Sequence, residues 1–290
     1  MALPTSVAKE LTTLGYLGPG GNEKHALKRF QRRALTTTRK LGGGGICVAQ
    51  SFHGTVTGKI DQATVDEIAL WLKWKYVAPL GVFKLTPLAG GGTLREDVTV
   101  AWQNLASRIR SLGGTIDGPY GDTKRPLMKT IKVGASKYSF HYVGRAVDLN
   151  QSLGNARGQR YFIVQETVAN RTYWRLFCKT TDQTGKQGTK IAKATKTAYR
   201  FGDGASYQIP EGYYIDLTAE IERGGSFERI AAQTGWGPSG GAYNKSEWWH
   251  FQYVPQKEAT FQDECELIGI TEKTLRDIGY TDADLEHAPG

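Results

Sequence analysis

Two histidines and one aspartate stand where they could share a metal ion. His141 and Asp148 belong to Ser139-Phe-His-Tyr-Val-Gly-Arg-Ala-Val-Asp148, and His250 closes Glu247-Trp-Trp-His250 about a hundred residues later. Imidazole nitrogen and carboxylate oxygen both bind zinc at about 2.0–2.2 Å, and a catalytic site keeps three protein ligands so that a fourth position can hold water. Glu247 adds a carboxylate that can take a proton from water acidified by the metal and later hand it to a leaving amine. These residue types are enough to hold one metal ion such as Zn2+, with a carboxylate in reach of it. His25, His53 and His287 have no such neighbourhood and read as ordinary core or surface histidines.

Positioning these groups takes particular elements. The seven-position separation of His141 and Asp148 is too long for one turn of helix, where partners lie three or four apart. Gly144 followed by Arg145-Ala146-Val147-Asp148 predicts instead a turn that enters a strand, with His141 before the turn and Asp148 pointing inward beside Ala146. His250 would then arrive on a neighbouring strand. The rigid Trp248-Trp249 pair would keep Glu247 near the metal without making it a ligand.

The pattern Ser139-x-His141-x-x-Gly144-x-Ala146-x-Asp148 with Glu247-x-Trp249-His250 resembles the paired signature of the zinc D-alanyl-D-alanine carboxypeptidase and endopeptidase family. That family includes phage L-alanyl-D-glutamate endolysins and shares its fold with the hedgehog signalling domain. The resemblance implies that His141, Asp148 and His250 are the zinc ligands and that Glu247 is the general base and acid. It also implies a basic residue upstream that binds the substrate carboxylate or the developing oxyanion. Arg125 is the candidate and Lys124 its competitor. Ser139 either hydrogen-bonds substrate or orients a ligand, and Trp249 either packs beneath the site or touches substrate.

Upstream, apolar positions recur at helical spacing. Residues 5 to 17 place Val7, Leu11 and Leu14 on one face before Gly15, Glu23 to Ala34 carries Ala26, Leu27, Phe30 and Ala34, and Gln62 to Tyr76 carries Val65, Ile68, Ala69 and Leu72 behind an Asp61 N-cap. With Leu-Gly-Tyr-Leu at 14–17 and Ile60-Asp61-x-x-Thr64-Val65 in the same order, residues 5–76 resemble the three-helix peptidoglycan-binding domain attached to many bacterial wall hydrolases. The loop from Thr36 to His53 is longer than that domain's usual spacing.

The middle of the chain starts with a turn-rich span from Pro79 to Gly92, read as a linker in which Val82 to Leu85 could form a short strand. A helix follows from Glu96 to Leu112 with Val100, Leu105, Ile109 and Leu112 near one face, then a short strand at Thr115 to Asp117. Arg160–Val168 and Thr172–Lys179 read as a hairpin, Thr180 to Thr197 as an exposed loop or protruding hairpin, and Tyr199–Gln208 and Tyr213–Leu217 as further strands. Phe227 to Gln233 reads as a short helix and Glu247 to Val254 as a strand. Thr271 caps a helix from Glu272 to Ile278 that Gly279 ends. The 99 positions from Asp148 to Glu247 exceed what compact members of the resembled family need, so residues 154–217 read as an insertion decorating the catalytic core.

The formal charge of +9 is uneven. Residues 1–78 hold 11 Lys and Arg against 5 Asp and Glu, whereas residues 256–290 hold 3 against 9. A basic body attracts polyanions such as nucleic acid or a bacterial envelope. No run of five to eight basic residues and no nucleotide-binding or finger spacing supports nucleic acid, which is not expected as a partner. Cys47, Cys178 and Cys265 are odd in number and far apart, so they read as buried thiols. The most apolar region, Ile68 to Leu85, is interrupted by Lys73, Lys75 and Lys84 and predicts no membrane span.

The expected fold is α+β: a three-helix bundle at 1–78 that binds peptidoglycan, a linker at 79–92, a zinc peptidase domain with a central antiparallel sheet at 93–255, and an acidic helical extension at 256–290. The expected activity is zinc-dependent cleavage of a peptide bond in the peptidoglycan stem, as a D,D-carboxypeptidase or an endopeptidase. The alternative is a catalytically silent peptidoglycan-binding protein that keeps the zinc fold. The first ten residues lack the basic and apolar regions of a secretory signal. Synthesis in the cytoplasm is therefore expected, with action on the cell wall as a phage endolysin or as an antibacterial effector served by a delivery or immunity protein.

Overall fold

A computed structural model describes residues 3–36, 38–49, 52–128, 136–154, 159–233 and 246–290. The chain is mixed α and β with antiparallel sheets, and it divides into two compact units: residues 1–82 with 258–289, and residues 83–257 with Gly290. No helix among the described residues is long and apolar enough to cross a membrane.

The first unit opens with α1 (Thr5–Thr13) and α2 (Glu23–Ala34). β1 (Thr38–Leu41), β2 (Ile46–Val48), α3 (Gln62–Trp74) and β3 (Tyr76–Val77) follow, and the strands form a sheet in the order β2-β1-β3. Asn22 and Asp61 cap α2 and α3 by accepting the backbone N–H three residues on, as the Asp61 reading anticipates. The expected apolar stripe of α3 is rotated: Val65 and Ala69 face solvent, and Thr64, Glu67, Ile68 and Trp71 are buried. Trp71 decides this, because its ring meets Tyr16, Phe30 and Tyr76 edge-on at 5.3–5.8 Å and outweighs the smaller side chains of the predicted stripe. Glu67 follows it inward by accepting from the Trp71 indole at 2.8 Å.

Residues 258–289 complete this unit rather than forming a separate extension. They hold α6 (Phe261–Leu267), α7 (Glu272–Ile278) and α8 (Asp282–Leu285), each capped by a threonine, Thr260, Thr271 or Thr281. The acidic excess of the tail meets the basic face of α2: Arg29 pairs with Glu266 and Glu272, Arg32 with Asp263 and Glu286, and Arg33 with Glu258. His25 is buried between Glu286 and Gln262.

The second unit begins inside the predicted linker, where β4 (Leu85–Pro87) and β5 (Thr93–Arg95) form a hairpin that leads into α4 (Glu96–Ser111). Val98, Trp102, Leu105 and Ile109 form the buried face of α4, and Val100 and Leu112 of the predicted stripe are exposed. No strand forms at Thr115–Asp117; the Thr115 carbonyl accepts from the Tyr161 hydroxyl instead. β6 (Ala146–Asp148) is followed by the long hairpin of β7 (Tyr161–Val168) and β8 (Arg171–Lys179), with Ala169 and Asn170 left-handed at its turn. β9 (Thr189–Ile191), β10 (Thr197–Tyr199), β11 (Ser206–Gln208) and β12 (Gly212–Asp216) complete a six-stranded sheet in the order β11-β10-β7-β8-β12-β9. α5 (Leu217–Glu222) then leads to β13 (Phe227–Arg229) and β14 (His250–Tyr253).

Two expectations change here. Phe227–Arg229 is a strand rather than the start of a helix, because it pairs antiparallel with β14, Phe227 opposite Tyr253 and Arg229 opposite Phe251. Residues 154–217 are not peripheral decoration. Tyr161, Ile163, Trp174, Leu176, Cys178 and Ile215 belong to the same buried core as Val98, Trp102, Val147 and Phe251.

Candidate metal centre

The site is built on the sheet β13-β14-β6, in which His250 lies directly opposite Asp148. His141 enters from the single turn of 3-10 helix at Phe140–Val143, capped by Ser139, whose hydroxyl accepts the His141 N–H at 3.3 Å. Gly144 ends that turn with φ 68°, and a Cβ there would sit 2.8 Å from the Arg95 nitrogen, so both conformation and space call for glycine. The next residue, Arg145, is fully buried and donates to the carbonyls of Tyr253, Pro255 and Gln256, which ties the end of β14 to the start of β6.

These elements bring three atoms together. His141 Nε2 lies 3.1 Å from both Asp148 Oδ1 and His250 Nδ1, and the last two are 3.0 Å apart. All three residues are buried. The Thr123 carbonyl can only accept, so His141 Nδ1, 2.5 Å away, carries the ring proton and Nε2 presents a lone pair to the triangle. Three donors at about 2 Å from one tetrahedral ion would be separated by roughly 3.3 Å. The donor set and its spacing therefore fit a metal ion.

Glu247 sits just before β14 with φ 57°, a left-handed conformation uncommon for glutamate and of the kind that gathers at functional sites. Its Oε1 accepts from the Gln233 amide at 3.0 Å. Burial raises its pKa, with His250 and Arg125 pulling it down and Asp148 pushing it further up, which places Glu247 within electrostatic range of the ligands and of Arg125. The Arg125 backbone N–H donates to the His141 carbonyl at 3.0 Å, and its partly exposed guanidinium lies over Tyr142 at 5.9 Å. Lys124 donates its backbone N–H to Thr93 in the same segment. Trp249 is buried, 5.6 Å from Trp248 and 5.5 Å from Phe201, so it packs among aromatic rings.

Of the residues singled out by pattern, His141, Asp148 and His250 thus come together, and other contributors were not legible. Thr123 acts through a carbonyl, which every residue possesses, so no sequence signal marks it. Gln233 and Arg145 act across long sequence separations. Asp122 had one signal, its three-residue distance from Arg125 in a turn-rich loop. No protein-family model matches the chain, and comparison with curated proteins and with solved structures finds no match either.

Proposed function

We propose that the chain is a zinc-dependent peptidoglycan hydrolase that cleaves a peptide bond of the stem peptide, with a hedgehog-like peptidase fold in residues 83–257 and a first unit of helices and a small sheet, residues 1–82 with 258–289, that holds the wall. One observation carries this reading: three ligand atoms from His141, Asp148 and His250 converge within 3.0–3.1 Å, beside a half-buried Glu247 that is not one of them. A structural zinc site closes its coordination with four protein ligands, whereas three with an adjacent carboxylate suit hydrolysis.

His141, Asp148 and His250 would hold the ion. When bound, zinc supplies a Lewis acid that polarises the scissile carbonyl and acidifies water. Glu247 takes the proton of the attacking water and returns it to the leaving amine. Arg125 contributes a fixed cation for the substrate carboxylate or the oxyanion. Ser139 caps the turn that carries His141, which supports its role in orienting a ligand.

The test is digestion of purified sacculi followed by mass spectrometry of the muropeptides, which reports activity and the bond cut. Chelation should abolish hydrolysis and zinc should restore it, and Glu247→Ala should lower the rate by about 10²- to 10⁴-fold while the protein still binds one zinc ion. Hydrolysis indifferent to both treatments would overturn the mechanism. Tight sacculus binding with no product from any muropeptide would favour a catalytically silent wall-binding protein.

A further inference from the structure

The loop Gly121–Arg125 contacts two of the three ligand residues of the candidate centre, Asp148 and His141. Gly121 donates to the Asp148 carbonyl at 2.9 Å and Asp148 donates back to the Asp122 carbonyl at 2.8 Å, so the loop pairs with the strand that carries one ligand. Thr123 accepts from the ring of a second ligand, His141, and the Arg125 N–H donates to the His141 carbonyl. The main chain of one short segment therefore fixes two of the three ligands and the position from which Arg125 projects.

The side chain of Asp122 divides its two oxygens. Oδ1 accepts the Thr123 N–H at 2.8 Å, which locks the carboxylate against its own loop. Oδ2 lies 2.8 Å from Arg125 Nε. That nitrogen is buried and not aligned for a directed hydrogen bond, so attraction between unlike charges holds the pair. Both side chains are 31% exposed. An ordinary surface pair of this kind contributes little to stability, because its flexible side chains lose entropy and water screens the charges. Here one partner is already immobilised by the loop, and the other is backed by the Tyr142 ring at 5.9 Å. The outcome is a guanidinium with one preferred place, projecting from the residue whose backbone N–H meets the His141 carbonyl, rather than one more mobile surface arginine.

We infer that Asp122 is a positioning residue: its carboxylate holds the Arg125 guanidinium where it can meet a negatively charged group of the substrate. This rests on the hydrolase reading for the substrate and on the structure alone for the Asp122–Arg125 pair. Asp122→Asn is the informative variant, since the amide oxygen can still accept the Thr123 N–H while the charge that holds Arg125 is lost. Misplacement of a fixed group by about 1 Å can lower a rate by roughly 10²-fold.

The experiment compares wild type, Asp122→Asn, Arg125→Ala and the double variant on stem peptides with a free or an amidated C-terminal carboxylate, with zinc content and thermal midpoint measured alongside. Asp122→Asn should lower kcat/KM for the free acid by about ten- to a hundredfold, with unchanged zinc stoichiometry, and should reduce the preference for free acid over amide. In the Arg125→Ala background it should cause no further loss. An independent reading comes from NMR of the Arg125 Nε–H, assigned by its disappearance in Arg125→Ala. Its signal should be distinct and slowly exchanging in wild type and should move to the exposed-arginine position in Asp122→Asn, whether or not any peptidoglycan is cleaved. Losses that add fully in the double variant, or an Arg125 signal unchanged by Asp122→Asn, would overturn the inference. A wild type that cleaves nothing while the Arg125 signal still responds would overturn the hydrolase reading and leave the pair standing.

Discussion

In the unit formed by residues 1–82 and 258–289, Arg29, Arg32 and Arg33 project from one helix onto Glu266, Asp263 and Glu258; in the unit of residues 83–257, His141, Asp148 and His250 direct their ligand atoms at one another. Both clusters are largely buried and both consist of groups that proteins rarely bury without reason. The first is closed electrically, since each buried acid faces a guanidinium. The second gathers a carboxylate and two imidazoles, and a lone-pair cluster of this kind is stabilised by a cation from outside the chain. Buried charge alone therefore does not mark a functional site. What separates the two clusters is whether the protein supplies the counter-charge.

The largest effect should come from removing a ligand. In His250→Ala the zinc stoichiometry should fall from one to near zero after dialysis, and hydrolysis should go with it. In wild type, free zinc at a thousandfold excess over its dissociation constant should stabilise the unit that binds it by about 4 kcal/mol. Hydrogen exchange read separately on peptides from the two units checks this: zinc should slow exchange in β6 and β14 in wild type, leave α2 and α6 unchanged, and do neither in His250→Ala. Equal zinc protection of both units, or of neither, would erase the distinction drawn between the clusters.

The two clusters also differ in how far they could be read from residue order. The metal triad was legible because its members sit in short blocks with a required turn, Gly144, and a required strand, Ala146–Asp148, between them. The helix bounds at Glu23–Ala34 and Glu272–Ile278 were legible for the same reason, since caps and apolar spacing are local. The basic α2 and the acidic tail each showed their charge, but nothing local says that residues about 230 positions apart meet. The same holds for β13, whose three residues Phe227–Arg229 are a strand only because β14 lies beside them. Helical periodicity also misjudged which faces are buried on α3 and α4, where Trp71 and Trp102 override the more numerous aliphatic positions.

An intermediate effect should follow from opening the closed cluster. Arg29 and Glu266 are 5% and 6% exposed, and Arg29→Ala would leave a buried carboxylate without its nearest counter-charge. Breaking a buried pair in this way costs about 3–5 kcal/mol. Exchange in α2, α6 and α7 should accelerate by the corresponding factor, while zinc content and exchange in β6 and β14 stay as in wild type. Loss of zinc in Arg29→Ala would show that the two clusters are energetically coupled and would break the comparison.

The smallest effect is a response to pH. Burial acts to raise the Asp263 carboxyl, but Arg32 and Arg33, with a hydrogen bond from Thr260, more than offset it and leave the pKa below its ordinary value. The same balance, set against burial by Arg32, His25 and Lys28, lowers Glu286. A carboxyl with a depressed folded-state pKa adds stability that is fully present above its unfolded value of about 4 and is lost as the pH falls through the folded value. Glu258 works in the other direction, since burial raises it despite Arg33, and its protonation relieves a penalty before the other two titrate. Protection of α2 and α6, corrected for intrinsic exchange, should therefore hold or rise slightly as the pH approaches the ordinary carboxylate range and then fall below it. In Asp263→Asn the fall should be shallower, because one of the groups that bind extra protons on unfolding is gone. An acid fall as steep in Asp263→Asn as in wild type would mean that the closed cluster does not set the acid stability of its unit.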